Sequence, residues 1–303
     1  DNQSGDAFGF SVAMNRDGSK FVVGAPGDDA AGAEAGAVYL FNWGSNTSTK
    51  RLPVVDAGET ANNQHYDRFG FSVAYDGNVV VVGAPFDTFG SNGLHSNGSV
   101  TILGVSAAFN GAVLKRGGES SYDMLGWSVS VDAYRELSGH AQNSSLLVVA
   151  GAPGSDLKDN DAGAVYGYRW SGISDTVLQA QLDTVIEVHN VLDKYSFVVL
   201  PYDSQGYDGF GQSVAVDVGN ASLTSFNNDV KDNGIRLAVG SRMNGDFGGT
   251  AYLFRAYTGW NWLGQTYNQV GVNTTAAGNQ FGWAVALSNM PTSSSAAWGT
   301  TYT

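Results

Sequence analysis

Three carboxylates in one short loop have the residue types and spacing of a cation site. The loop reads DLKDND and contains Asp156, Asp159 and Asp161. Calcium binds about six to eight oxygen ligands, chiefly carboxylates and backbone carbonyls. These three aspartates are therefore a candidate calcium site, and the alternative is an acidic loop that is simply solvated.

A second set of aspartates recurs along the chain. Each lies two residues before a Phe-Gly or Leu-Gly pair, which a ring of metal-binding or ligand-binding carboxylates would explain. Aspartates that accept hydrogen bonds from nearby backbone N–H groups would explain it equally well. A binding site rarely repeats in every unit, whereas a structural device does. We therefore favour backbone capping for Asp6, Asp67, Asp123 and Asp208.

Serines recur two residues after the glycine of the same pairs. A nucleophilic serine of the hydrolase type lies in a Gly-x-Ser-x-Gly turn, and the sequence has no such turn. No enzyme needs one nucleophile per repeat, so we interpret these serines as packing residues and predict that the protein is not an enzyme. They are Ser11, Ser72, Ser128 and Ser213, and Ala284 takes the fifth place.

The composition excludes several classes of partner. The chain has 303 residues, 15 Lys and Arg against 28 Asp and Glu, a formal net charge of −13 and no cysteine. Its scattered basic residues form no patch for nucleic acid or anionic lipid. No apolar run approaches the ~20 residues of a membrane helix. We expect no nucleic-acid partner and no membrane insertion.

The sequence also contains six candidate sites for N-glycosylation. An Asn-x-Ser/Thr sequence can carry a glycan only in an exposed loop of a secreted chain, and all six lie in predicted loops or at a terminus. The alternative is a loop composition that is rich in Asn and Ser. These sites predict an extracellular glycoprotein, and they are Asn2, Asn46, Asn97, Asn143, Asn220 and Asn273.

The elements that position all these residues come from an internal repeat. FGFSVAMNRDGSKFVVGAP at Phe8 returns as FGFSVAYDGNVVVVGAP at Phe69, and shorter forms begin at Leu125, Phe210 and Phe281. Short apolar runs bounded by Gly, Pro, Asn and Asp are typical of β-strands. Each unit supplies three such runs and a less regular fourth. Four antiparallel strands repeated around an axis form a propeller blade.

We therefore predict an all-β fold, a β-propeller built of four-stranded antiparallel blades in a single domain, 1–303. Four complete units are few for a propeller of about four to eight blades. We expect a section of a larger ring rather than a small closed one. The expected blades span about residues 6–66, 67–122, 123–207 and 208–278, with a partial blade at 279–303.

The motifs FGFSVA, VVGAP and GAVYLF resemble the FG-GAP repeat of integrin α-chain propellers and, more closely, the FG-GAP repeat proteins of bacteria and protists. The resemblance covers nearly the whole chain. It implies a β-propeller for extracellular adhesion or ligand binding without catalysis. Integrin-type repeats often carry a calcium loop after the first strand, but the loop here offers only Asn15 and Asp17. Arg236 stands where the last carboxylate of the fourth repeat would fall.

Three functions remain open from the sequence. The first is adhesion or recognition of a protein or other ligand through the loops at one face. The second is a structural subunit of an extracellular filament or surface coat, because unpaired blade edges favour self-association. The third is a carbohydrate-binding lectin, for which the aromatic segment from Tyr257 to Trp262 would supply a platform. We expect proteins, further copies of the chain or glycans as partners, and no cofactor other than calcium.

Overall fold

The computed structural model is built entirely of β-strands and connecting loops in the part of the chain that it describes. No helix in that part has the length and hydrophobicity of a membrane span. The described residues are 3–45, 47–53, 65–77, 79–89, 94–105, 113–136, 143–174, 197–201, 206–218, 235–242, 249–256 and 282–287.

In these ranges fifteen strands form four sheets. Sheet 1 contains β1 (Ser11–Met14), β2 (Lys20–Ala25), β3 (Ala37–Asn42) and β4 (Ser48–Arg51). Sheet 2 contains β5 (Ser72–Asp76), β6 (Val79–Ala84), β7 (Ser99–Gly104) and β8 (Val113–Gly117). Sheet 3 contains β9 (Ser128–Glu136), β10 (Asn143–Ala152), β11 (Ala164–Ser174) and β12 (Phe197–Val199). Sheet 4 contains β13 (Phe210–Asp217), β14 (Ile235–Ser241) and β15 (Thr250–Ala256).

Each sheet is an antiparallel meander in which the strands follow chain order. A tight hairpin turn joins β5 to β6, because Asp76 pairs with Val79 and Gly77 adopts a φ of 57°. Such a turn matches the twist of the flanking strands. The all-β class and the four-stranded propeller-type blades are confirmed for sheets 1 to 3, and three strands of sheet 4 are described. The strands of each sheet lie within one predicted blade interval.

The core lies between consecutive sheets rather than inside any one of them. Sheets 1 and 2 share a cluster of buried apolar side chains that includes Val22, Val38, Tyr75 and Val80. Similar clusters join sheets 2 and 3 and sheets 3 and 4. The first strands of the four sheets, β1, β5, β9 and β13, contact one another in that order. Short strands that cannot bury a core alone are therefore stabilised by face-to-face stacking.

A recurrent hydrogen bond fastens each sheet to the next. The hydroxyl of Ser11 donates to the carbonyl oxygen of Gly70 at 2.7 Å, across the boundary between sheets 1 and 2. We call the Phe-Gly or Leu-Gly pair before each first strand the Phe-Gly turn. This turn packs on two residues of the preceding sheet, the serine of its first strand and the glycine near the end of its second strand. We call these two residues the socket. The equivalent bonds join Ser72 to Gly126, Ser128 to Gly211 and Ser213 to Gly282 at 2.7–2.9 Å.

The glycine of the Gly-Ala-Pro motif is the floor of this socket. A Cβ built on Gly24 would lie 2.0 Å from the carbonyl oxygen of Gly70, so no side chain fits there. The approaching Gly70 has a φ of 93°, which L-residues with side chains rarely adopt. The two glycines of the FG-GAP pattern thus meet across a sheet boundary.

Candidate functional site

The loops with the richest chemistry meet at one end of the sheets. Because neighbouring strands are antiparallel, three segments fall at the same end: the Phe-Gly turns, the loops between second and third strands, and the chain that enters each first strand. We call this the Phe-Gly end. Its loops include 26–36, 85–89 with 94–98, and 153–163. The turn at Asp17 and Gly18, between β1 and β2, lies at the opposite end.

Three tyrosines project from equivalent positions at the Phe-Gly end. Tyr66, Tyr122 and Tyr207 each precede the recurrent aspartate, and their exposures are 58%, 60% and 61%. Their φ angles are 70°, 66° and 70°, in the left-handed region. A bulky residue pays about 1–2 kcal/mol to occupy this region. Large, exposed side chains are therefore held on a backbone that glycine would occupy at lower cost.

Backbone hydrogen bonds hold the main chain of each tyrosine in place. The N–H groups of Tyr66, Tyr122 and Tyr207 donate to the carbonyl oxygens of Ala33, His95 and Asn160 at 2.7–2.8 Å. In the first repeat the corresponding position is Gly5, with a φ of 110°. The loop conformation is therefore available to glycine, and the backbone geometry does not require the tyrosine side chains. Strained residues with this property cluster at functional sites.

Further aromatic rings line the starts of the first strands at the same end. Phe71 lies between Phe10 and Trp127, with ring centroids 5.0 Å and 4.9 Å away. Phe86 packs edge-on against both Phe71 and Trp127. The guanidinium of Arg68 lies 5.1 Å from the centroid of the Phe86 ring. The Phe-Gly end thus combines aromatic faces with fixed polar groups, the composition typical of recognition surfaces.

The predicted calcium loop lies at this end, and its aspartates bind backbone N–H groups. An Asp156 carboxylate oxygen accepts from the N–H of Asp161, and one from Asp159 accepts from the N–H of Asn160, each at 2.8 Å. Burial, together with the negative charge of Asp156, raises the pKa of Asp161. Across the described ranges, no group of three or more His, Cys, Asp or Glu side chains is positioned to hold a metal ion. Calcium binding by Asp156, Asp159 and Asp161 stays a prediction without support from this arrangement.

The recurrent aspartates next to the tyrosines are buried caps. A carboxylate oxygen of Asp6 accepts from the N–H of Gln3 at 3.0 Å, and one of Asp123 accepts from the N–H groups of Glu119 and Ser120 at 2.8 Å. The capping interpretation is confirmed for these two residues, and Asp67 and Asp208 are buried in the same way. Burial raises the pKa of Asp123 to about 6, and the charges of Asp156 and Glu119 act in the same direction.

The raised pKa of Asp123 predicts a specific dependence of the folding stability on pH. Its pKa is raised from 3.8 to about 6 in the folded chain, so folding favours its protonated form. That contribution to stability is fully present below the unfolded value and is lost as pH rises through about 6. We expect wild type to gain stability relative to Asp123→Asn when pH falls from 7 to 5, as measured by urea unfolding. Parallel stabilities of the two proteins across that window would contradict the assignment.

Toward the opposite end, each first strand has a buried polar residue nearby: Asn15 follows β1, Asp76 and Asp217 end β5 and β13, and Asp132 lies within β9. Arg16 bridges two of these positions, since its Nη2 lies 3.0 Å from Oδ2 of Asp76 and 3.0 Å from Oδ1 of Asp132. Arg236 pairs with the next position, Asp217, at 3.2 Å. Burial first, and then the neighbouring Asp76, raises the pKa of Asp132. Through Arg16, these contacts join the segment after β1 to the end of β5 and to β9, so we assign the cluster a structural role.

Asn15 and Asp17, the residues considered for an integrin-like calcium loop, form a local turn. The side chain of Asn15 accepts from the N–H of Lys20 at 3.0 Å, and that of Asp17 accepts from the N–H of Ser19 at 2.8 Å. Arg236 is the partner of Asp217 described above. The side-chain oxygens of Asn15 and Asp17 therefore already accept backbone hydrogen bonds within the hairpin.

The predicted glycosylation sites divide into three groups. Asn97 is only 1% exposed, and its Nδ2 donates to the carbonyl oxygens of Phe89 and Gly118 at 3.2 Å and 2.9 Å. A glycan on that nitrogen does not fit the folded chain, and this part of the prediction is corrected. Asn143 begins β10 rather than lying in a loop. The remaining sites lie outside the described residues and are Asn2, Asn46, Asn220 and Asn273.

Two recurrent features escaped the sequence interpretation. The serines, interpreted as packing residues, are hydrogen-bond donors to the next repeat. The tyrosines were overlooked, although the pattern Tyr-Asp-x-Phe/Leu-Gly recurs in HYDRFG, SYDMLG and GYDGFG and would have revealed them. The aromatic segment at Tyr257 to Trp262 lies outside the described residues.

Comparison with known families agrees with this architecture. The family model of the FG-GAP repeat matches residues 1–41 and 60–102. These segments contain the Phe-Gly turns at Phe8 and Phe69, the first two strands of sheets 1 and 2 and most of the third strand of each. A search of curated proteins gave no significant match to the chain.

Proposed function

Because this chain is an FG-GAP repeat protein, we propose that it is a non-catalytic extracellular module that recognises a protein through its Phe-Gly end. The three exposed tyrosines carry this proposal. They recur at equivalent places, they occupy a costly backbone conformation, and the first repeat manages without them. Tyrosine supplies a large amphipathic contact surface at low conformational entropy cost, which suits protein recognition.

Neighbouring groups would complete the binding surface. Arg68 and Glu34 form an exposed ion pair at 2.8 Å beside Tyr66. The side chain of Asn160 donates to the hydroxyl of Tyr207 at 3.4 Å. Together with the acidic loop at Asp156, these groups give the aromatic patches a polar rim. Such a rim favours a ligand that offers both apolar and basic groups, in keeping with the acidic charge of the chain.

Replacing the tyrosines with glycine separates binding from folding. In the variant Tyr66→Gly, Tyr122→Gly and Tyr207→Gly, we expect the stability to change by less than about 1 kcal/mol per site. Relief of the left-handed strain offsets the greater flexibility of glycine in the unfolded chain. Peptides selected from a display library for binding to wild type should lose at least about tenfold in affinity for this variant. Calorimetry and urea unfolding measure the two effects.

The matched control is Trp43→Ala, because Trp43 is 75% exposed at the opposite end of sheet 1. Affinity should be retained in this control. Selected peptides that bind the tyrosine variant and wild type equally would exclude the Phe-Gly end as the recognition surface. Glycan-array binding that depends on the same tyrosines would instead favour the lectin function.

The structural-subunit function is kept as a second candidate because of one observation. The outer face of sheet 1 exposes Phe10, Val12 and Met14 by 56–61%. Exposed contiguous apolar residues of this kind mark interaction surfaces. Self-association of the chain, which the sequence led us to expect, would use this face.

A further inference from the structure

Two buried oxygen atoms in sheet 2 have no hydrogen-bond partner in the described part of the chain. They are Oδ1 of Asp87 and Oγ1 of Thr101, and the two residues are 1% and 0% exposed. Nearly all buried polar atoms in proteins bond either to a protein group or to ordered water. Two such atoms in one sheet therefore call for a common explanation.

The two residues belong to one polar cluster. The other carboxylate oxygen of Asp87 accepts a hydrogen bond from the hydroxyl of Ser99 and lies 2.7 Å from Nζ of Lys115. Ser99 and Thr101 are alternate residues of β7, so their side chains lie on the same face of the sheet. Thr101 is also the register partner of Lys115 on β8. The lysine stem therefore runs from beside Thr101 to the carboxylate of Asp87.

The corresponding cluster of sheet 1 provides partners for both carboxylate oxygens. Tyr39 occupies the position of Thr101, because it is the register partner of Lys50. The Tyr39 hydroxyl donates to Oδ2 of Asp28 at 2.7 Å, and Nζ of Lys50 lies 2.7 Å from the same atom. Oδ1 of Asp28 accepts from the N–H of Ala30 at 3.0 Å. Sheet 1 thus shows which donors this buried carboxylate uses.

Sheet 2 lacks both the tyrosine hydroxyl and the backbone donor. The N–H two residues after Asp87 belongs to Phe89, and it donates to Oδ1 of Asn97 at 2.8 Å instead. The side chain of Thr101 ends one bond beyond its Cβ, so its hydroxyl stops short of the place that the Tyr39 hydroxyl reaches in sheet 1. The space of a phenol group is therefore left between Thr101 and the carboxylate.

The ring of Phe89 fills a different part of the cluster. A Cβ built on Gly117 would lie 2.1–2.6 Å from three atoms of the Phe89 side chain. Leu52 takes the position of Gly117 in sheet 1, where it packs beside the tyrosine. The Phe89 ring therefore occupies the space of that leucine, with its centroid 5.4 Å from Nζ of Lys115. The space beside Thr101 keeps polar groups on two sides and this ring as an apolar wall.

We infer that this space is a buried hydration site, in which a water molecule donates to Oδ1 of Asp87 and bonds the hydroxyl of Thr101. Water can donate to a carboxylate and can also donate to or accept from a hydroxyl, and buried waters have about two to four polar partners. A cation would be repelled by the Lys115 ammonium, which already pairs with the carboxylate. An apolar ligand would leave both oxygens unpaired. The water supplies to sheet 2 a hydroxyl like that of Tyr39 in sheet 1.

A crystal structure of the chain, at a resolution that shows ordered water, tests the site directly. We expect a solvent peak about 2.5–3.2 Å from Oδ1 of Asp87 and from Oγ1 of Thr101. Protein groups bonded to both oxygens with no solvent peak between them would overturn the inference. A metal cation in place of the water would overturn it as well.

The variants Thr101→Tyr and Thr101→Phe test the same site in solution. Both place an aromatic ring in the space, but only tyrosine brings a hydroxyl that can replace the water at Asp87. We expect the unfolding equilibrium constant of Thr101→Phe to be at least about fivefold larger than that of Thr101→Tyr, as measured by urea unfolding. Equal constants for the two variants would contradict the need for a donor at this place.

Thr101→Val keeps the test valid if neither ring variant folds, because it removes the hydroxyl and preserves the size of the side chain. Its unfolding equilibrium constant should exceed that of wild type about fivefold. Thr49→Val is the matched control, since Thr49 is an exposed strand residue of β4, and its constant should stay within about twofold. A Thr101→Val protein as stable as wild type would overturn the inference. None of these results involves the exposed tyrosines, so they are independent of the proposed recognition function.

Discussion

A single methyl group added at Gly151 is expected to destabilise the protein more than any exposed substitution. The Cβ would lie 1.9 Å from the carbonyl oxygen of Gly211 and 2.6 Å from the hydroxyl of Ser128. Both atoms belong to the hydrogen bond that joins sheets 3 and 4. Since backbone on both sides is held by strand pairing, the clash can be relieved only by separating the sheets. We expect Gly151→Ala to cost about 3 kcal/mol or more.

The same substitution in the other sockets should give a ranked series. Gly83→Ala should be as damaging as Gly151→Ala, because its socket also joins two consecutive sheets and its Cβ would lie 2.0 Å from the carbonyl oxygen of Gly126. Gly240→Ala should be milder, since among the described residues its Cβ would displace the short turn at Gly282, whose carbonyl oxygen lies 1.8 Å away, rather than a paired strand. Gly44→Asn is the control, because asparagine tolerates a positive φ and the site is open. Urea unfolding and thermal melts measure the series.

Equal effects at Gly240 and Gly151 would show that the clash with the neighbouring turn is not what determines the loss. In that case the local strand, rather than the sheet-to-sheet interface, would carry the effect. A neutral Gly151→Ala would contradict the close approach itself.

Removal of Lys115 is expected to have the second large effect. The Lys115 ammonium lies 2.7 Å from Oδ2 of Asp87, and the two side chains are only 8% and 2% exposed. Oδ2 also accepts a hydrogen bond from Ser99, whereas Oδ1 of Asp87 has no hydrogen-bond partner in the described structure. Lys115→Met would leave a buried negative charge that its surroundings do not balance. We expect a loss of about 3–5 kcal/mol, measured by urea unfolding at pH 7.

A second substitution tests the cause of that loss. Asp87→Asn combined with Lys115→Met removes the uncompensated charge, and we expect most of the stability to return. Arg68→Met is the matched control, because its pair with Glu34 is 43% exposed on each side and such pairs contribute at most about 1 kcal/mol. A double variant as unstable as Lys115→Met would assign the loss to packing of the lysine stem instead.

The buried pair recurs in sheet 1 with a different third member. Lys50 lies 2.7 Å from Oδ2 of Asp28, and the hydroxyl of Tyr39 donates to the same oxygen at 2.7 Å. Burial alone would raise the pKa of Asp28, but hydrogen bonds from Lys50, Tyr39 and the N–H of Ala30 outweigh it and lower the pKa. In sheet 3 the aspartate is replaced by Ser155, which is fully buried and lies 3.5 Å from the Tyr166 hydroxyl. The same buried position therefore holds an aspartate paired with a lysine in sheets 1 and 2 and a neutral serine in sheet 3.

The repeat in the sequence was enough to determine the strands, their order within each sheet and the blade architecture. Strand pairing here is local, and each blade is a meander of neighbouring segments, so periodic apolar runs and glycine-bounded turns contain the necessary information. The capping of Asp6 and Asp123 was predictable for the same reason, since an aspartate that bonds its own turn needs no distant partner.

Only the tertiary structure decided what the repeated residues do across sheet boundaries. The partner of Ser11 is 59 residues away, and the two partners of Arg16 are 60 and 116 residues away. Phe8 is exposed whereas Phe69 is buried, and Tyr66 is exposed whereas Asn97 is buried. Both differences depend on which sheet or loop lies opposite the side chain. Identical motifs acquire different roles because contacts between blades depend on neighbours in space, which no local pattern of residues specifies.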